Sequence, residues 1–191
     1  MTFRLALCTT ALLSLLASPI RADDISDALQ AALTAYNAGD LSKTSEALTL
    51  ARQSLGARQS ALLTALLPAA PDGYTRQDTE DFTQSFGIMG GGAGAEATYS
   101  SADGSVSFKL SFVADNPMVA SMGAMLGNAQ MMAMMGKVVK VGDQALLSQD
   151  GSISTLVNAR VLFQAQGGTE EQMLPLVQGI DFAKVGVFDT K

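Results

Sequence analysis

Hydrophobic positions along this chain change period twice. From residue 24 to 67 they recur every three or four residues. "ISDALQAALTAYNAGD" sets Ile25, Leu29, Ala32, Leu33 and Tyr36 on one stripe, and Leu41, Leu48, Leu55 and Leu62 follow at seven-residue intervals, with Leu66 extending the face. That spacing predicts two amphipathic helices. Asp24 is a candidate cap for the first and Gly39 a candidate stop, so the segment reads as a hairpin docked on its own domain. "AY..GD" followed by "EA" resembles the turn of a tetratricopeptide hairpin over about a dozen residues. One such unit could not stand alone, because those repeats bury their faces by stacking.

"PAAPDGY", residues 68 to 74, carries two prolines and an Asp-Gly, which end a helix and set up a turn. Beyond it the period becomes two. "SVSFKLSFV" alternates Val106, Phe108, Leu110 and Phe112 with Ser105, Ser107, Lys109 and Ser111, a half-buried strand joined through "ADG" to "AEATYSS". Later, "KVVKV", "QALLSQ", "SISTLV" and "ARVLFQAQ" are separated by Gly142-Asp143, Asp150-Gly151 and Asn158, so a meander is the economical connection. "GGTEEQMLPLVQG" offers a Thr169–Gln172 capping box, with Pro175 suited to a first turn or a kink. The predicted order is ββ–α–ββββ–α, an α+β antiparallel sheet with helices on one face.

Between the two groups of strands lies the third pattern, "PMVASMGAMLGNAQMMAMMGK", which holds seven of the ten methionines and no charge before its last residue. Asn116-Pro117 predicts a helix start and Gly136 a stop. At 100° per residue Met118, Met122, Met125 and Met132 share one arc, while Met131, Met134 and Met135 point elsewhere unless Gly127-Asn128 breaks the helix. Thioethers are soft ligands that suit copper(I), and Met118, Met122, Met125 and Met132 are the candidate donors. Flexible, polarizable Met also fills cores and builds adaptable binding surfaces, which makes Met131, Met134 and Met135 the candidate surface for a protein or an apolar ligand. Gly123-x₃-Gly127 resembles a helix-association motif.

"MTFRLALCTTALLSLLASPIRA" changes the setting. Arg4 supplies a positive start, and Leu5 to Ala17 form an apolar core too short to span a bilayer comfortably. Ala22 suits a cleavage site, so residues 1–22 read as a secretory signal. The expected organisation is therefore signal 1–22, helical hairpin 23–67, linker 68–74 and α+β domain 75–191, with no membrane span after cleavage. Cleavage removes Arg4 and Arg21 and takes the net charge from −6 to about −8, which disfavours nucleic acid as a partner. It also removes Cys8, the only cysteine.

Histidine is absent throughout. Ser–His and Cys–His nucleophilic pairs and ordinary zinc sites are therefore excluded, leaving carboxylates, lysines and hydroxyls for any catalysis. "GIMGGGAGAEA", residues 87 to 97, lacks the Gly-Lys-Ser/Thr end of a phosphate loop and leads into a strand, so it reads as a flexible loop. Asp78, Glu80 and Asp81 lack a calcium-loop pattern and read as linker or helix N-terminal acids.

The arrangement "VADNPMV…M..M…G", with the closing "GIDFAKV", resembles a set of secreted proteins of Gram-negative bacteria over roughly residues 85 to 186. The resemblance implies export and an α+β domain. It carries no activity and no site residues. The expectation is a periplasmic, non-enzymatic accessory or binding protein without a cofactor, with copper(I) binding as the alternative. An enzyme of carboxylate or Ser–Lys type comes third.

Overall fold

The structure, a computed structural model, describes residues 23–80, 82, 83 and 91–190. The expected signal at 1–22, Asp81 and the glycine-rich positions 87–90 lie outside these residues. The chain begins with α1 (Asp24–Asn37) and α2 (Leu41–Leu66), joined by a tight turn at Gly39, whose φ of +75° calls for glycine. Asp23 rather than Asp24 caps α1, accepting from the Ile25 N–H at 3.3 Å. Asp24 instead sits in the first turn, where a carboxylate favours the helix dipole.

Next come β1 (Tyr74–Asp78), β2 (Ala93–Ser101) and β3 (Ser107–Ala114), then α3 (Pro117–Leu126) and α4 (Ala129–Met135). The chain continues through β4 (Lys137–Val141), β5 (Gln144–Gln149), β6 (Ser152–Val157) and β7 (Val161–Gln166), and closes with α5 (Glu170–Val177) and α6 (Phe182–Val185). The fold is α+β. All seven strands form one antiparallel sheet in the order β1-β2-β3-β7-β6-β5-β4, so the expected β2–β3 hairpin and the β4–β7 meander both form. Phe112 against Phe163 joins the two groups, with ring centroids 5.4 Å apart.

Three expectations are corrected. First, an additional strand, Tyr74–Asp78, precedes the expected ββ pair, and only its first residue falls in the expected linker 68–74. Arg76 explains the placement: its guanidinium donates to the carbonyls of Thr64 (3.0 Å), Leu67 (2.8 Å) and Pro68 (3.2 Å), closing the end of α2, and it pairs with Asp78 at 2.6 Å. The apolar code of β1 is weak because its side chains serve this cap.

Second, helices cover both faces of the sheet. Alternation sends Leu110, Phe112, Val161, Phe163 and Ile153 into a first core under α2, α5 and α6. The intervening Val113, Leu147, Leu156 and Leu162 form a second core under α3 and α4. The strands nearest the second group carry apolar residues on both sides, which a one-faced sheet would not need.

Third, the leucine stripes of the hairpin are not its docking face, except at the end of α2, where Leu66 packs against the first core. Among the described residues of α1 and α2, the buried ones are Ala28, Ala32, Ala51, Ser60 and Leu63. The alanines form the close seam between the helices, and the far end of α2 lies on Ala93, Ala95 and Ala97 of β2, whose small side chains admit it. Leu29, Leu33, Tyr36, Leu41, Leu48, Leu55 and Leu62 are all exposed.

Candidate functional site

Asn116 starts α3 by accepting from the Met118 N–H at 2.8 Å, while its amide donates to the Gly91 carbonyl at 2.6 Å. Pro117 follows at the first helical position, where its missing N–H costs nothing. The expected single helix breaks at Gly127. Asn128 then opens α4, its side chain accepting from the N–H groups of Gln130 (2.9 Å) and Met131 (3.4 Å). Gly136 ends the pair because the chain there runs against β5, where an added Cβ would stand 2.8 Å from the Ser148 carbonyl oxygen.

The break sorts the methionines by depth. Met132 is buried with Val119 and Leu126 against Leu147, Leu156 and Leu162, and Met122 and Met135 are half-buried against the same core. Met118, Met125 and Met131 are exposed, and Met134, at 81%, is the most open large apolar residue among the described residues. Of the three expected surface residues, Met131 and Met134 face outward together on α4, while Met135 leans inward. The four expected copper donors are divided. Met118, Met122 and Met125 follow one flank of α3, whereas Met132 lies on α4 inside the second core. Gly123 faces β6, where an added Cβ would stand 3.6 Å from Leu156, so its close approach is to its own sheet rather than to a partner helix.

The two helices of this surface are themselves uncharged. No charged residue occurs from Pro117 to Met135. The first one after it, Lys137, pairs with Glu170 at the start of α5, and Ser148 donates to the same carboxylate at 2.6 Å. The Lys137 hydrogen bond, with that of Ser148, holds the Glu170 carboxyl below its usual range.

A second constellation, absent from the sequence reading, lies where the end of the chain meets the β3–α3 corner. Arg160 grips Asp115 through Nε and Nη2 (2.7 Å each) and Asp189 through Nη1 (2.7 Å) and Nη2 (2.6 Å). Gln59 of α2 adds a bond to Asp189 at 2.9 Å, and the Phe188 ring lies 5.1 Å from the guanidinium carbon. The Arg160 hydrogen bonds pull the Asp189 carboxyl down to about 2. Both carboxylates are spent on one cation, so the cluster ties α2, the β3–α3 corner and the final residues together and leaves no free base. Its members lie far apart in the chain, and no local motif marks them.

No helix among the described residues is long and apolar enough to cross a membrane, and they bring no three His, Cys, Asp or Glu side chains together as a metal site. The chain matches no family model, no curated protein and no solved structure.

Proposed function

We propose that this chain is a periplasmic, non-enzymatic binding protein that docks an apolar partner on the outer face of α3 and α4. One observation carries the reading: four thioether side chains, Met118, Met125, Met131 and Met134, stand exposed on a helix pair without a single charge, in a chain of net charge −6. Large exposed apolar groups in a charge-free surround favour association, and unbranched Met adapts to the shape of what it meets. The leader-like first 22 residues support a periplasmic setting.

The reading is tested with a photo-crosslinking residue at position 134 in cells that export the chain. A discrete adduct that disappears when Met131→Glu and Met118→Glu are combined supports it. Absence of an adduct, or one indifferent to those changes, rejects it.

A second reading, copper(I) binding, is favoured by the run of Met118, Met122 and Met125 along one flank of α3. Axial steps of about 6 Å and 4.5 Å bring three flexible thioethers within reach of one soft ion. Met132 would take no part, being enclosed in the second core.

A further inference from the structure

We infer that the exposed thioethers of α3 and α4 are a site of reversible oxidation by peroxides, and that their sulfoxides turn this face from apolar to polar. That the change releases a docked partner rests on the reading proposed above; the oxidation itself does not.

The sequence leaves a peroxide few targets. It has no Trp and no His, and its one Cys, Cys8, lies in the expected signal. The thioether is then the softest nucleophile of the remaining chain. Among the described residues, Met173 is fully buried in the first core, and every exposed thioether lies on the helix pair. These four, Met118, Met125, Met131 and Met134, are also the large apolar side chains that α3 and α4 expose. One reaction therefore converts the whole face. The hairpin makes the opposite choice, with leucines and Tyr36 at its exposed apolar positions. Leucine is as apolar as Met but has no lone pair to oxidise, so a peroxide acts on one surface and passes over the other.

In the reaction the sulfur lone pair attacks one peroxide oxygen. An S–O bond forms as the O–O bond breaks, and sulfur gives up two electrons. From hydrogen peroxide, the departing hydroxide takes the proton of the new S–OH group and leaves as water. Sulfoxide reductases reverse the change with two thiols, which become a disulfide and release the oxygen as water.

Depth decides which sulfurs react. Met131 and Met132 are chain neighbours on α4, yet Met131 is 43% exposed and Met132 only 2%. Met132 lies among Val119, Leu126, Leu147, Leu156 and Leu162, which offer no donor to a sulfoxide oxygen. A peroxide reaches it only when the second core opens. The outer sulfoxides stand in water instead, so they add polarity without burying it. The helix break at Gly127 is what separates the two tiers, and it lets the surface change while its floor stays dry.

Peptide mapping by mass spectrometry, on the purified chain treated with hydrogen peroxide at neutral pH, tests the inference. Met134 should gain oxygen first, followed by Met118, Met131 and Met125. Met132 and Met173 should react at least about tenfold more slowly than Met134 while the chain is folded. Circular dichroism should stay unchanged, and retention on a phenyl resin should fall, then return after treatment with sulfoxide reductases and a dithiol. A variant with leucine at positions 118, 125, 131 and 134 conserves volume and should keep its retention after peroxide. Oxidation of Met132 as fast as Met134, unfolding by the outer sulfoxides, undiminished retention once they form, or an equal loss in the leucine variant would each overturn the inference. A photo-crosslinking residue in place of Gln130, which keeps all four thioethers, separates this from docking. No adduct in untreated cells rejects the docking reading alone, whereas an adduct equally strong after peroxide keeps docking and overturns the switch.

Discussion

Arg76 on the edge strand donates to the main-chain carbonyl of Thr64 at 3.0 Å, so a strand side chain completes the end of a helix twelve residues earlier. Two further carbonyls, those of Leu67 and Pro68, depend on the same guanidinium. Arg76→Met keeps the aliphatic stem and removes every donor. A loss of about 1–3 kcal/mol is expected, because charged hydrogen bonds to partly buried carbonyls carry that much. Urea unfolding followed by circular dichroism measures it.

Leu48 and Leu63 occupy the same helix and should respond in opposite ways. Leu63 is fully buried in the first core, whereas Leu48 is 44% exposed. Leu63→Asp should cost several kcal/mol by burying an unpaired charge. Leu48→Asp should change the folding free energy by less than about 1 kcal/mol. Thermal unfolding compares them, and a larger loss at Leu48 would restore the leucine stripe as the docking face.

The turn between β6 and β7 places both Asn158 (φ +50°) and Ala159 (φ +53°) in the left-handed region. Asn158 is compensated by donating to the Gly186 carbonyl at 3.1 Å, but Ala159 is an exposed residue with no such partner to offset its backbone. Ala159→Gly should therefore stabilise the protein by about 1 kcal/mol, since only an L side chain pays to enter this region. A rise in the denaturant midpoint with an unchanged slope is the expected reading.

Acid should withdraw the stability that Asp189 contributes at the end of the chain. The Asp189 carboxyl is held at about 2, below its ordinary 3.8, by Arg160 and then by Gln59. A depressed carboxyl stabilises the fold fully above its unfolded value and loses that contribution as pH falls from about 4 towards 2. Asp189→Asn should be less stable at neutral pH and show a flatter decline through that window. Urea midpoints at several pH values compare the two, and parallel profiles would contradict the assignment.

The methionines divide by depth. Replacing Met118, Met122 and Met125 with leucine should cost less than about 1.5 kcal/mol each, since volume is nearly conserved. Met132→Ala should cost about 2–5 kcal/mol, because it opens a cavity in the second core. The same leucine triple variant separates the two proposed readings. Copper(I) binding, measured by competition with a chelator and lost in that variant, would favour the metal; failure of the unaltered chain to compete would favour the docking surface.

Much of the sheet was legible because its central strands obey simple rules. Phe108, Leu110 and Phe112 alternate cleanly with polar neighbours, and the Asp150-Gly151 and Asn158 turns carry the left-handed residues that hairpins need. β1 was not legible, because Arg76 spends its side chain on capping a helix rather than on a face of the sheet. The hairpin misled for another reason: hydrophobicity ranks leucine above alanine, but close helix packing selected the alanines. In the methionine segment, sequence periodicity located the helices and raised the possibility of a break at Asn128. It could not rank Met134 above Met135, because their depths depend on the direction in which α4 restarts.

The strand order has a kinetic corollary. Most neighbouring strands are joined by short turns or one loop, so their ladders form locally and fast. The pairing of β3 with β7 is different, since Phe112 and Phe163 meet across about fifty residues that include α3, α4 and the whole meander. Closing that span is the costliest ordering step in the sheet, so the seam between the two strand groups, rather than either edge, is where the barrier to folding concentrates. Until it closes, the second core has Leu147 and Leu156 but lacks Val113, and the Met-rich helices have only half of their floor.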